Sequence, residues 1–487
     1  MIGILSIMLL TPLIGAILAY ITGLHHDKAS KILAIITTAL TFIMSLYIYL
    51  KFQPGNTSFQ FLEQYEWVKS FGLTYIVGVD GISLPLIILA TFLTTISAAS
   101  SRHVSYKTGK YFALLLLFEV GIIGVFTSLN LILFYFFWEL VLIPMFFLIS
   151  EWGGPRRTYA AIKFLIFTHV GAVIMLLGFM TLYSASTPHT FNILELSTTS
   201  LPMPLQLIVA TAIFIGFAVK IPVVPLHTWL PDAHVEAPAP ISVLLAGLLL
   251  KMGVYGFIRI NYLILPAATQ LLSPIIVAFA IFSIFYGAIM AMTQQDLKRM
   301  IALTSISAMG FALLGASVLN SNGIAGAVFQ MFNHGIVVGL LFLLSGLIYD
   351  HAGTRNIGEL KGLKAKMPIT AILLAVASFA AFGLPFLNVF VSEFIVLLAA
   401  VSAYSLASIA VIAPAITAAY FLWMLNRTVF SQPEQHLKNT VHEAKLADLL
   451  PLIILVIPII FFGIYPSPML NIIYPTARNF AKIIGGS

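Results

Sequence analysis

The chain has 487 residues, 60% of them hydrophobic and 8% charged, with 24 basic side chains against 17 acidic ones and no cysteine. That composition, with a mean hydropathy of +1.04, excludes a soluble enzyme and describes a polytopic membrane protein. Lack of cysteine removes disulfides and the usual ligands of iron–sulfur clusters, and neither a phosphate-cradling GxxxxGK nor a strand-borne GxGxxG is present.

At about 20 residues per helical crossing, the apolar runs predict about fourteen spans. They lie near 2–22, 31–50, 82–100, 111–129, 131–150, 160–183, 205–221, 240–262, 271–290, 300–319, 323–349, 368–398, 403–426 and 449–466. The first twenty residues lack a basic leader and a small-residue cleavage site, and are read as the first span, not a removed signal. Loops after spans 1, 3, 5, 9, 11 and 13 carry most of the lysine and arginine, including Lys28, Arg102, Arg157, Arg299, Lys364, Arg427 and Lys438. Loops after spans 4, 6, 10 and 12 carry none. Excess positive charge marks the cytoplasmic side, so both termini are expected outside. Lys51, Lys69 and Arg259 are exceptions on the outer side. The net charge of +7 is therefore topological, and no nucleic-acid partner is expected. The same holds for the short basic loop QQDLKRM at 294–300.

Within this pattern, Phe214 to Arg259 stands out. It places Lys220 and Lys251 inside apolar runs, with Pro222, Pro225, Pro231, Pro238 and Pro240 between them. A lysine at bilayer depth costs about 2.5–3.5 kcal/mol and normally faces a protein or water interior. Prolines directly after Lys220 break its helix, and a broken helix is tolerated in lipid only where it lines a cavity. A second interruption falls at Gly383 and Pro385, followed by Glu393 in an apolar run. Two interrupted helices point to an inverted-repeat transporter with spans 4–8 and 9–13 as the repeats.

Glu119 and Glu139 also lie in apolar spans, where a carboxylate must be protonated or paired. One reading makes them packing groups; the other pairs Glu139 with Lys220, whose proton occupancy would then respond to small movements. Among the histidines in or beside spans, His169 is expected to pack, while His334 stays open between packing and relay. His227 and His234 lack the i, i+4 pairing of metal ligands, so no metal site is expected. Asp80, Asp232 and Glu236 sit at segment ends, where capping and turn roles are the default.

The stretches GVDGISLPL (78–86), FWELVLIPMFFL (137–148), Phe214–Arg259, QQDLKRMIALTSIS (294–307) and FGLP…SEF (382–394) resemble the antiporter-like subunits of respiratory complex I, above all the M type. The resemblance covers about 75–427. It implies an all-α fold of fourteen helices, two inverted five-helix repeats with helices 7 and 12 broken, and a proton path along a central hydrophilic axis. The chain then divides into helices 1–3 (1–110), a first repeat (111–262), a second repeat (271–427), and a cytoplasmic loop with the last helix (428–487).

By the same resemblance, Glu139, Lys220, Lys251 and Glu393 match the family's helix-5 glutamate, helix-7 lysine, helix-8 lysine and helix-12 acid. Glu119 matches a helix-4 acid and His334 a helix-11 relay residue; His227 joins the candidate set. Glutamate at 393, not lysine, marks the M type. Two departures stand out: Ala308 where many relatives have histidine, and Phe386–Leu387 where glycine and a small residue are common.

The expected activity is proton translocation in the inner (plasma) membrane as part of an NADH:quinone oxidoreductase-like translocase. No cofactor is expected on this chain. Flavin and iron–sulfur clusters would belong to a peripheral redox arm, and the membrane neighbours would be L-, N- and K-type subunits and lipid. A subunit of an Mrp-type Na⁺/H⁺ antiporter is the rival reading.

Overall fold

A computed structural model describes residues 3–68, 73–432 and 441–485; Lys69 and Lys438 of the loop-charge pattern lie outside them. Thirteen helices among the described residues are long and apolar enough to cross a membrane. They are spans 1 (Ile4–Gly23), 2 (Asp27–Lys51), 3 (Ser83–Ser100), 4 (Thr108–Thr127), 5 (Leu131–Trp152), 6 (Arg157–Ala185) and 7 (Met203–Lys220). Spans 8 (Ala239–Ile264), 9 (Pro266–Met292), 10 (Leu297–Ser317), 11 (Ser321–Ala352), 13 (Ser405–Thr428) and 14 (Leu446–Ile464) follow. The remaining crossing, span 12, is made of two shorter helices, Pro368–Ala381 and Asn388–Ala403, so the expected set of fourteen is complete.

Local chemistry sets the boundaries. Asn130 separates spans 4 and 5 by accepting from the Ile132 and Leu133 amides at 3.0 and 3.2 Å, two of the donors a helix start leaves unpaired. Asp296 and Asn320 cap spans 10 and 11 in the same way. Spans 8, 10 and 11 are almost wholly enclosed by protein, whereas spans 1, 2, 6, 13 and 14 turn much of their apolar surface outward, as a lipid-facing ring must. The polar residues singled out from the sequence therefore sit among enclosed helices.

Three features differ from expectation. The fold is not purely helical: Gln60–Val68 and Leu73–Val79 form an antiparallel hairpin with Tyr65 opposite Tyr75. Alternating aromatic and β-branched residues favour a strand there, and the segment is too short and polar to cross. Its buried Glu63 accepts from the Leu5 amide at 2.8 Å and the Ser6 hydroxyl at 2.5 Å, closing the start of span 1. Second, the last span runs from Leu446 to Ile464, and a further helix, Ser467–Ile483, follows it. That helix buries Met469, Ile472, Ile473, Thr476, Ala477 and Phe480, one stripe at helical spacing.

The third is Arg259, an exception in the loop-charge pattern that proves not to be a loop residue. It is 1% exposed and grips Asp80 with two hydrogen bonds of 2.7 and 2.6 Å. Asp80 keeps its expected capping role, accepting from the Ile82 and Ser83 amides, and the ion pair ties span 3 to span 8. Burial alone would push the Asp80 carboxyl up, but the Arg259 charge and these hydrogen bonds hold it below its usual value of 3.8.

Removing one partner of a buried pair typically costs about 3–5 kcal/mol. Asp80→Asn is accordingly expected to lower thermal stability by about that amount, read by unfolding of the purified protein. Because the folded pKa lies below the unfolded one, the pair's contribution is complete above the usual value of 3.8 and declines as pH falls below it. An acid-unfolding profile in which Asp80→Asn converges on the wild type only at such low pH is the expected result.

Candidate functional site: a buried polar line through spans 7, 8, 11 and 12

Span 7 ends at Lys220, and Pro222 and Pro225 prevent its continuation until a short helix restarts at Trp229–Glu236. The backbone groups freed by the break find side chains. The Trp229 indole donates to the Val219 carbonyl at 3.0 Å, and the Val224 amide donates to Ser283 of span 9 at 3.1 Å. At the far end of the short helix, buried Lys298 donates to the carbonyls of Ala237 and, at 3.4 Å, Val235. Arg355 donates to the same Val235 carbonyl at 3.1 Å. Cations at a helix C-terminus meet the negative end of its dipole. Lys298, read from sequence as a topological loop charge, is thus a buried clamp on the broken helix.

The Lys220 ammonium is fully buried, has no hydrogen-bond partner among the described residues, and lies 5.0 Å from the Trp138 ring centre. The expected direct pair with Glu139 is not formed. Glu139 Oε2 meets His169 Nδ1 at 2.9 Å, and its Oε1 is buried without a partner. The reason is geometric: Trp138, the preceding residue, fills the space over the ammonium. His169, expected only to pack, is thus the nearest partner of a candidate carboxylate.

Span 8 carries Lys251 into the protein interior. Two π-helical turns, Leu245–Leu249 and Phe257–Asn261, flank its helix, and such turns often mark functional sites. Lys251 donates to the Ala246 carbonyl and meets His334 Nδ1 of span 11 at 2.6 Å. Glycine makes that meeting possible. A Cβ on Gly335 would lie 2.7 Å from Leu89 and 3.0 Å from the Gly247 carbonyl oxygen. Spans 8 and 11 therefore touch backbone to backbone beside the Lys251–His334 contact. The structure thus puts His334 in contact with the lysine.

Beyond His334 lies a cavity of about 20 Å³ lined by Thr304, Ala308, Gln330, His334 and Glu393, room for about one water. Glu393 Oε1 is 3.5 Å from Gln330 Nε2, and the amide oxygen of Gln330 accepts from Ser392 at 2.6 Å. Ser392 and the Asn388 carbonyl both accept from Asn333. The break in span 12 supports this end. Gly383, with φ of +73°, sits where a Cβ would approach Glu393 Oε2 at 3.2 Å. Phe386 adopts φ of +71°, a conformation that bulky residues rarely take. That is how the chain turns at Phe386, the departure noted from the sequence.

The other candidates stand apart. Glu119 is buried and accepts from Thr41 at 2.5 Å and Thr94 at 3.0 Å, joining spans 2, 3 and 4. His227 stacks edge-on against Tyr286 with its ring centre 4.7 Å away and shares no hydrogen bond with either lysine. Asp232 pairs with Lys163 at 2.7 Å instead of capping, while Glu236 accepts from the Arg156 amide at 2.9 Å, in the turn that opens span 6. His234 is the remaining histidine of that group. It is buried flat against Phe342 at 5.0 Å, with both ring nitrogens unpartnered among the described residues, and feels the charges of Lys298 and Lys251. Among the described residues no group of three or more His, Cys, Asp or Glu could hold a metal ion.

Fourteen crossings, two broken helices and buried lysines beside them define the antiporter-like class of membrane subunit. The family model described as "NADH:quinone oxidoreductase/Mrp antiporter, TM" matches residues 128–419, and the chain belongs to that family. It is 37% identical to NADH-quinone oxidoreductase subunit M of Rickettsia bellii over 98% of both chains. It is also 35% identical to F(420)H(2) dehydrogenase subunit M of Methanosarcina mazei, covering 100% of this chain and 99% of the other. A chain of respiratory complex I from Thermus thermophilus superposes with a TM-score of 0.91 at 29% identity, over 99% of this chain and 100% of that one. The expected likeness to M-type subunits holds along the whole chain.

Ala308→Leu fills the cavity between His334 and Glu393 while keeping an apolar side chain. Overpacking of this kind costs about 1–3 kcal/mol, so the protein is expected to fold and assemble. The expected functional outcome is a lower proton-to-electron ratio in reconstituted vesicles, with Ala308→Ser close to wild type.

Proposed function

We propose that this chain is a proton-translocating membrane-arm subunit of a complex I-like oxidoreductase, and that Lys220, Lys251, His334 and Glu393 carry the proton. The observation that carries this reading is Lys251, fully buried yet 2.6 Å from His334, which in turn lines one cavity with Glu393. An ammonium, an imidazole and a carboxyl group in sequence can each hold or release a proton. Glu139 acts on Lys220 through space, and His169 holds the carboxylate by a contact of 2.9 Å.

The energetic requirement is modest. Moving one charge against 100 mV costs about 2.3 kcal/mol, and one pKa unit is about 1.4 kcal/mol. A swing of roughly two units on a buried lysine therefore suffices. Residues 111–262 and 271–427 act as two repeats related by inversion, each built around a broken helix. Flavin and iron–sulfur clusters belong to a peripheral arm, and neighbouring antiporter-like subunits complete the membrane arm. The chain lies in the plasma membrane with both termini outside.

Glu393 tests this reading against a structural role. If it loads protons, Glu393→Gln is expected to impair redox-driven pumping in the assembled complex, and Glu393→Asp to retain part of it. Normal pumping with Gln would reduce Glu393 to a helix-packing residue. Proton uptake driven by a sodium gradient without electron transfer would favour the Mrp-type activity instead.

Orientation has its own test. With no native cysteine, Thr198→Cys and Lys364→Cys give clean labelling sites on exposed loops. Thr198→Cys is expected to react with an impermeant maleimide from outside, and Lys364→Cys only from the cytoplasm. The reverse pattern would invert the topology.

A further inference from the structure

Three lysines are buried among the described residues, and they are held in two different ways. Lys251 and Lys298 donate to backbone carbonyls, at Ala246 and at Ala237. Lys220 does not, although a lysine closing a helix can turn onto its last carbonyls. Those of span 7 are already taken. The Phe217 and Ala218 carbonyls accept from the Ile221 and Val223 amides, both at 2.8 Å, and the Val219 carbonyl accepts from the Trp229 indole at 3.0 Å. What the ammonium has instead is the ring of Trp138, its centre 5.0 Å away, within the reach of a cation–π interaction.

The ring is built into that place. Phe134, one turn earlier on span 5, and Phe217, one turn before Lys220 on span 7, pack on it with ring centres 5.5 and 5.6 Å away. Its own N–H has no partner among the described residues, although a buried indole usually finds one. With that hydrogen bond forgone, what fixes Trp138 is its faces, against the ammonium and the two phenylalanines. A π face attracts an ammonium but offers no lone pair that could take a proton from it. Trp138 therefore keeps the charge on Lys220 without opening a way out for the proton.

We propose that Trp138 is the positioning residue of Lys220: its indole face holds the loaded ammonium until the lysine is drawn to another group. This rests on the proposed role of Lys220 in carrying the proton. Charges on the neighbouring elements do not replace the ring. Among the described residues Glu139 of span 5 is the charge that acts on Lys220, and its carboxylate is held by His169 of span 6. Lys163 of span 6 pairs with Asp232, Arg259 of span 8 with Asp80, and Lys251 meets His334. In the short helix, His234 feels Lys298 and Lys251, and Glu236 holds the Arg156 amide. Span 9 has no charged residue.

The test uses the intact complex, reconstituted in sealed vesicles, with the proton-to-electron ratio followed against pH. Tryptophans carrying one, two or three ring fluorines, placed at position 138 by nonsense suppression, drain charge from the π face while nearly keeping its shape. Each added fluorine is expected to move the alkaline fall of the ratio to lower pH, by about one unit over the series, because a lysine without the ring loses its proton sooner. Trp138→Leu is expected to show the full shift, and Trp138→Phe, with its weaker π face, part of it. Superposed profiles across the fluorine series overturn the proposal. A shift in Trp138→Leu alone does so too, since it would assign the residue to packing. Lys220→Met separates this inference from the reading beneath it. Lost pumping in that variant beside an unmoved fluorine series discards the ring's role alone, whereas normal pumping discards both.

Discussion

The contact between Lys251 and His334 is the point on which the arrangement turns. An ammonium enclosed on all sides by apolar helices needs acceptors within its own reach, and span 8 supplies one through the Ala246 carbonyl beside a π-helical turn. The second acceptor comes from span 11, and only because Gly247 and Gly335 allow the two backbones to touch. A side chain at Gly335 would press on the Gly247 carbonyl of span 8 and on Leu89, and one at Gly247 on Leu93 of span 3. An unsatisfied charge in that position is far more costly than a lost hydrogen bond, so the packing of spans 8 and 11 and the pairing of Lys251 depend on the same few atoms.

The two helix breaks are held from outside their own segments. The break after Lys220 is satisfied by Ser283 of span 9, Lys298 of span 10 and Arg355 of the following loop. That in span 12 is anchored by Asn333 of span 11, which donates to Asn388 at the start of the second half-helix. The first break is thus held by residues of the second half of the chain, and the second break by a neighbour within its own half.

Much of this could be read from the residues. Fourteen crossings followed from apolar length, and both breaks followed from Pro222, Pro225, Gly383 and Pro385, because lipid tolerates so few interruptions. Buried lysines and glutamates were visible because they are rare in such runs. What escaped was pairing across long sequence separations. Glu139 acts on Lys220 only through space, and its hydrogen-bond partner His169 escaped, since nothing in the sequence places His169 beside it or Trp138 above Lys220. Arg259 and Lys298 looked like loop charges, as their ion-pair and carbonyl partners lie 179 and 61 residues away. The hairpin at Gln60–Val68 and Leu73–Val79 went unremarked because its alternation is short and lies between two spans.

The central claim is that Lys251 moves protons and does not merely hold helices together. Lys251→Met keeps the length and apolar bulk of the side chain while removing its charge, so the enclosed position remains filled. The decisive measurement is the proton-to-electron ratio of the assembled complex carrying this substitution, reconstituted in sealed vesicles and compared with wild type at matched assembly. The account predicts a clearly lowered ratio with an intact complex. An unchanged ratio would contradict it and leave Lys251 as a packing residue.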